Sequence, residues 1–266
     1  MRTILSAVAG VSMIFSSFPA LAQSGTGLEF VLRMEIRAID GAQGGGAAES
    51  FAVEQIRRRV LPDGPAEALY VTDGRSVRKT LRGPMLGQAS GTVTLIPSGS
   101  GQRVVLDDSN RTYYVARAED QSASSPATPD VVVSKTGTFE TILGHKARKV
   151  VITQRDRLPV PKGPVPPGTP TEMHTEFELW CAVDVRVPDT LTASLNPLAR
   201  SAAAPSVIQE AANACPLPLR SRWRYSLMSG YEIVSTITSI KPASPSASLF
   251  RVPPDYRQVP PPVAGK

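Results

Sequence analysis

Glu172, His174, Glu176 and Glu178 alternate with Met173, Thr175, Phe177 and Leu179. On a strand, residues two apart share a face, so three carboxylates and an imidazole would stand in one row. Such a row could hold a divalent cation. Its members are ~7 Å apart, wide for one shared small ion. A solvent-facing strand side shows the same pattern and is the preferred reading.

Two short patterns suggest acyl-transfer chemistry. Ser76-Val77-Arg78-Lys79 matches S-x-x-K, and Lys135-Thr136-Gly137 matches K-T-G. Both occur in exported penicillin-recognising enzymes. Ser76, however, follows a hairpin signal instead of opening a buried helix, and the S-D-N motif is missing. The match is rejected as chance. His145 follows a turn with no partner near in sequence, so no nucleophile–base set emerges and no cofactor is implied. Asn110-Arg111-Thr112 fits a glycosylation acceptor, but the bacterial-looking leader argues against its use.

Positive charge clusters at Arg220, Arg222 and Arg224, opposite Leu219, Trp223 and Tyr225. Arg57-Arg58-Arg59 and Lys146, Arg148 and Lys149 add more. These faces could dock phosphate-bearing lipid or an acidic partner, or simply be solvated. The chain holds 29 Lys+Arg against 23 Asp+Glu. With no basic arm or arginine-rich helix, nucleic acid is not an expected partner.

The elements that carry these groups begin after a leader. Arg2, the apolar run Ile4–Phe15 and Ala20-Leu21-Ala22 form the pattern of a secretory signal, with apolar residues too few for a membrane anchor. Residues 1–22 are read as the signal, 23–257 as one β domain and 258–266 as a disordered Pro-rich tail. A periplasmic or secreted location follows, with no membrane span. Cys181 and Cys215 are the only cysteines. In an oxidising compartment they are expected to form a disulfide, the alternative being two buried free thiols.

Two-residue alternation dominates the mature chain. Leu28, Phe30, Leu32, Met34 and Ile36 form one face of a long strand, with Glu29, Arg33, Glu35 and Arg37 opposite. A second strand is read near Phe51–Leu61. Asp73-Gly74 marks a hairpin between Ala68–Thr72 and Ser76–Leu81. Further strands are expected at Gly91–Ile96, Gln102–Leu106, Thr112–Arg117, Val131–Lys135, Thr138–Leu143, Ala147–Gln154, Met173–Val185, Arg220–Leu227 and Tyr231–Ile240. Gln121–Pro129 and the proline-rich Leu158–Pro170 read as loops. One helix is expected, Pro205–Ala214, capped by Ser206. Consecutive strands with short turns predict a mainly β fold: a curved antiparallel sheet forming an open half-barrel, with one short helical lid insertion.

Three segments then carry a resemblance. They are Thr141-Ile142-Leu143-Gly144-His145-Lys146-Ala147; Glu178-Leu179-Trp180 with Ala182-Val183-Asp184; and Leu249 to Tyr256. In this order the chain resembles an uncharacterised family of exported bacterial proteins similar to the lipoprotein-carrier (LolA/LolB-like) superfamily. That resemblance implies a curved sheet half-wrapped around a lid and an apolar cavity. It implies no catalytic residue.

The reading is an exported binding module that performs no catalysis and holds an apolar ligand: an acyl chain, a lipid or a lipidated protein. The candidate lining is Leu28, Phe30, Leu32, Met34, Ile36, Trp180 and Trp223, beneath the Pro205–Ala214 helix. Alternatively, these residues fill a closed core and the protein is a structural or docking component of an envelope assembly.

Overall fold

The computed structural model describes residues 27–39, 47–99, 102–117, 128–158, 170–199, 201, 203–228 and 230–262. The leader and its cleavage point, Gly44–Gly46, most of the polar loop (121–127), the proline-rich loop from 159 to 169 and residues 263–266 of the tail lie outside these.

Chain order is β1 (Gly27–Ala38), α1 (Ala47–Val60), β2 (Ala66–Thr72), β3 (Val77–Leu81), β4 (Val93–Ile96), β5 (Gln102–Asp107), β6 (Thr112–Arg117), β7 (Asp130–Ile142), β8 (His145–Arg157), β9 (Glu172–Ala182), α2 (Asp189–Leu195), α3 (Pro205–Ala214), β10 (Pro218–Tyr225), β11 (Tyr231–Ala243) and β12 (Arg257–Gln258). The twelve strands among the described residues join one sheet, ordered β12-β6-β5-β4-β3-β2-β1-β11-β10-β9-β8-β7. Every pairing is antiparallel except β12 with β6. The edge strands β7 and β12 do not meet, so the sheet stays open. The fold is the mainly β, open half-barrel expected from the alternation.

The expected second strand near Phe51–Leu61 is instead helical, as α1. Val53, Ile56 and Val60 are spaced three and four apart, the period of a helix face, and they pack toward the core. Arg57 and Arg58 point to solvent, and Arg58 pairs with Glu54 one turn earlier at 2.9 Å. The strands expected at Val131–Lys135 and Thr138–Leu143 are one strand, β7, with a register shift between Lys135 and Phe139. Thr136 donates its hydroxyl to the Lys149 carbonyl at 3.0 Å there, so the K-T-G match is a bulge in an edge strand.

Among the described residues, three apolar clusters hold the sheet. The largest gathers Phe30, Leu32, Met34, Leu61, Val77 and Leu81 with Leu191 and Leu219. A second joins Val150, Ile152, Phe177 and Leu179 to Ala211 and Ala214 of α3 and to both cysteines. The third lies on the other face of β4 and β5, where Val93, Leu95 and Leu106 meet Val252 and Tyr256. The C-terminal segment thus covers part of the outer face. Its continuation pairs with β6, and the Val259 amide donates to the Tyr113 carbonyl at 2.8 Å.

Candidate binding cavity and outer charge ladder

Cross-strand register builds the inner wall. One row runs Phe30, Tyr70, Lys79, Thr94, Val105 and Tyr114 from β1 to β6. Another runs Leu179, Ser221, Ser235 and Met34 from β9 to β1. Between them lies a cavity of about 410 Å³, within the ~300–1,000 Å³ range of small-molecule sites. Leu32, Met34, Leu179 and Trp223 line one side, and Lys79, Arg103 and Tyr114 the other. Met85 and Leu86, the segment Ser194–Pro197, and Pro261 with Pro262 also border it.

Local chemistry fixes each wall. The Ser221 and Ser235 hydroxyls lie 2.6 Å apart, and the Trp223 indole N–H donates to Ser221 at 3.1 Å. Trp223 also meets Phe177 edge-on at 5.7 Å. Asn196 donates its side-chain amide to the Ile208 carbonyl at 3.0 Å and accepts from the Leu198 amide at 2.9 Å, holding the link between α2 and α3. Thr190 of α2 donates to the Arg75 carbonyl in the β2–β3 hairpin at 2.7 Å. Burial pushes the Tyr114 phenol up, so it stays a neutral donor. Leu86 has φ 54 and precedes Gly87 at φ 76 in a tight turn closed by Met85 and Gln88. A leucine in left-handed backbone is uncommon; here it packs against the main core and borders the cavity.

The seven expected lining residues divide. Leu32, Met34 and Trp223 face the cavity. Leu28, Phe30 and Ile36 share that face but pack in the core, with Phe30 fully buried and stacked on Tyr70 at 4.8 Å. Trp180 pairs in register with Lys149 and Arg220, on the face opposite Leu179. Its ring lies 5.9 Å from the Lys149 ammonium and 5.1 Å from the Arg220 guanidinium. The helix α3 packs over β7 and the second cluster, away from the cavity's β1 wall. The roof comes instead from the α2–α3 link, the Met85 turn and the C-terminal prolines. Lys79, Arg103 and Tyr114 were missed as lining. Lys79 carries a legible signal, because it sits two residues from both Val77 and Leu81 and must share their buried face.

The outer face explains the charged rows. Glu178 pairs with Lys149 at 2.7 Å and lies 3.9 Å from Arg222. Arg224 bridges Glu176 and Glu232, each at 3.2 Å, and Arg220 pairs with Glu140. Glu172 approaches His174 at 3.7 Å and Arg155 at 3.9 Å. The carboxylate row of β9 and the arginine row of β10 are therefore adjacent strands of one ion-pair ladder. Burial raises the Glu178 carboxyl, but the Lys149, Arg222 and Arg224 charges outweigh it and hold it below the ordinary value. Cys181 and Cys215 form the expected disulfide, with Cα atoms 5.1 Å apart. Ser76 lies in the β2–β3 turn, its amide donating to Asp73 at 2.7 Å.

An open antiparallel half-barrel with a roofed inner cavity is the class that this fold and site define. The chain belongs to the family described as "Domain of unknown function (DUF4412)", which matches residues 59–256. Among solved structures, an uncharacterized conserved protein from Thermus thermophilus aligns at 12% identity over 89% of this chain and 91% of that one, with a TM-score of 0.43. A LolA superfamily protein from Nitrosomonas europaea aligns at 11% identity over 88% of this chain and 91% of that one, with a TM-score of 0.33. No curated protein is similar to this chain.

Proposed function

We propose that this protein is an exported binding module that holds an apolar ligand, such as an acyl chain, in the cavity of its half-barrel. One observation carries the reading: the cavity of about 410 Å³ beneath the sheet's inner face, with Leu32, Met34, Leu179, Leu195 and Trp223 along it. A filled core would leave no such space. The leader pattern and the Cys181–Cys215 bridge support export. Native mass spectrometry of protein purified from its own cell envelope tests the reading. The expected spectrum shows polypeptide plus a lipid-sized mass released on activation. Bare polypeptide that also takes up no fluorescent fatty acid contradicts it.

A docking role in an envelope assembly is favoured by a different observation. Phe139, Leu143 and Val183 are exposed at 48%, 45% and 48%, gathered near the β7–β8 turn. The Val183 amide donates to the Lys146 carbonyl at 3.0 Å, and the Lys146 ammonium lies 4.6 Å from the Phe139 ring.

A further inference from the structure

The two cations in the cavity stand where an apolar wall would otherwise continue. Val77 and Leu81 flank Lys79 on the same face of β3 and are almost fully buried. Arg103 stands two residues before Val105 on the same face of β5, and both border the cavity. The two strands are separated by β4 alone, so their backbones lie ~10 Å apart and the two long side chains can converge on one small group.

The sign of the lining is one-sided. Among the described residues bordering the cavity are Lys79 and Arg103, and no aspartate or glutamate. The outer face is built the other way, with arginines and Lys149 set against Glu140, Glu176, Glu178 and Glu232. Lys79 and Arg103 each make a contact of their own within the protein, and both carry their charge at the cavity's edge. Low-dielectric walls of one sign concentrate potential inside a cleft.

Charge is also divided by strand order. The wall from β9 to β1 offers Leu179, Trp223, Met34 and Leu32 with the uncharged Ser221 and Ser235; the wall from β3 to β6 offers both cations, Lys79 and Arg103, among Thr94, Tyr114 and the apolar Ile96, Val105 and Ala116. We propose that the ligand is a single-chain amphiphile with an anionic head, bound with its head at Lys79 and Arg103 and its chain toward Trp223. A volume near the lower end for small-molecule sites suits one chain better than two. A carboxylate or a phosphate monoester satisfies the same two cations. This proposal rests on the binding reading above and adds the head-group requirement.

The test compares three ligands of equal chain length on the mature protein: oleate, oleoyl lysophosphatidate and neutral monooleoylglycerol. Each competes against a fluorescent acyl probe. The expected result is that one or both anionic ligands bind at least about tenfold more tightly than the neutral one. Their order tells carboxylate from phosphate. The double variant Lys79→Met, Arg103→Met should lose this preference while still binding monooleoylglycerol, which also shows that it folds. On wild type alone, added salt should weaken oleate and leave monooleoylglycerol unchanged. Equal affinities for all three, with no salt effect, overturn the head-group proposal and leave the apolar module standing. Failure of all three to displace or bind overturns both.

Discussion

Phe30 and Met34 share one face of β1, yet they do different work. Phe30 is sealed against Tyr70, while Met34 borders the cavity. Phe30→Ala should therefore cost about 3–5 kcal/mol of stability, measured by denaturant unfolding. Met34→Glu should lower the melting temperature less, because its carboxylate can point into open space, and should abolish acyl-probe binding. Unfolding of Met34→Glu as severe as that of Phe30→Ala would mark a closed core. Glu178 ties stability to pH. Its folded pKa lies below the ordinary 4.5, so its contribution is fully present above that value. It is lost as pH falls through the lowered folded value. Lys149→Met should cost about 1–3 kcal/mol at pH 7 by leaving a buried carboxylate under-paired. The variant should also lose stability less steeply on the acid side, as urea unfolding at pH 7 and pH 4 would show. Alternation made the inward set of β1 legible in the sequence. It could not place Trp180, which is buried as a large aromatic suggests, but on the sheet face opposite the cavity, beside two cations.

At the scale of elements, α3 depends on its tie to the sheet. It has ten residues and ends at Cys215, bridged to β9. Isolated helices of that length are marginal. The bridge spans a sequence separation of 34, and removing it should cost at most about 4 kcal/mol. In the Cys181→Ser, Cys215→Ser variant, amide exchange over residues 205–214 should accelerate before exchange in β9 and β10. Uniform acceleration across the sheet would contradict that order. The β7–β8 turn offers an opposite case. Leu143 and Gly144 have φ of 52 and 82, a pair that favours Asn-Gly. Leu143→Asn should stabilise by about 1 kcal/mol, read as a raised melting temperature. The strands and the Asp73-Gly74 hairpin were legible because period two and turn chemistry are local signals. Helix α1 was not, since Phe51–Leu61 is rich in residues that also suit strands, and only its three-and-four spacing marks a helix. The cavity roof was hidden for another reason: Ser194–Pro197, the Met85 turn and Pro261-Pro262 meet only through tertiary contacts.

The whole molecule is one wide sheet with two different faces. Its outer face is neutralised by paired charges and partly covered by the C-terminal segment. Its inner face keeps a space that neither α1 nor α3 fills. In the proposed function an acyl chain occupies this space, and the two tryptophans report on it separately. Trp223 borders the cavity, whereas Trp180 lies on the other side of the sheet. The most direct measurement is quenching of tryptophan fluorescence by a brominated fatty acid, which acts only at short range. Saturable quenching is predicted for wild type and for Trp180→Phe, and its loss for Trp223→Phe. Absence of saturable quenching in wild type, or quenching that survives in Trp223→Phe and vanishes in Trp180→Phe, would rule out an acyl chain in this cavity.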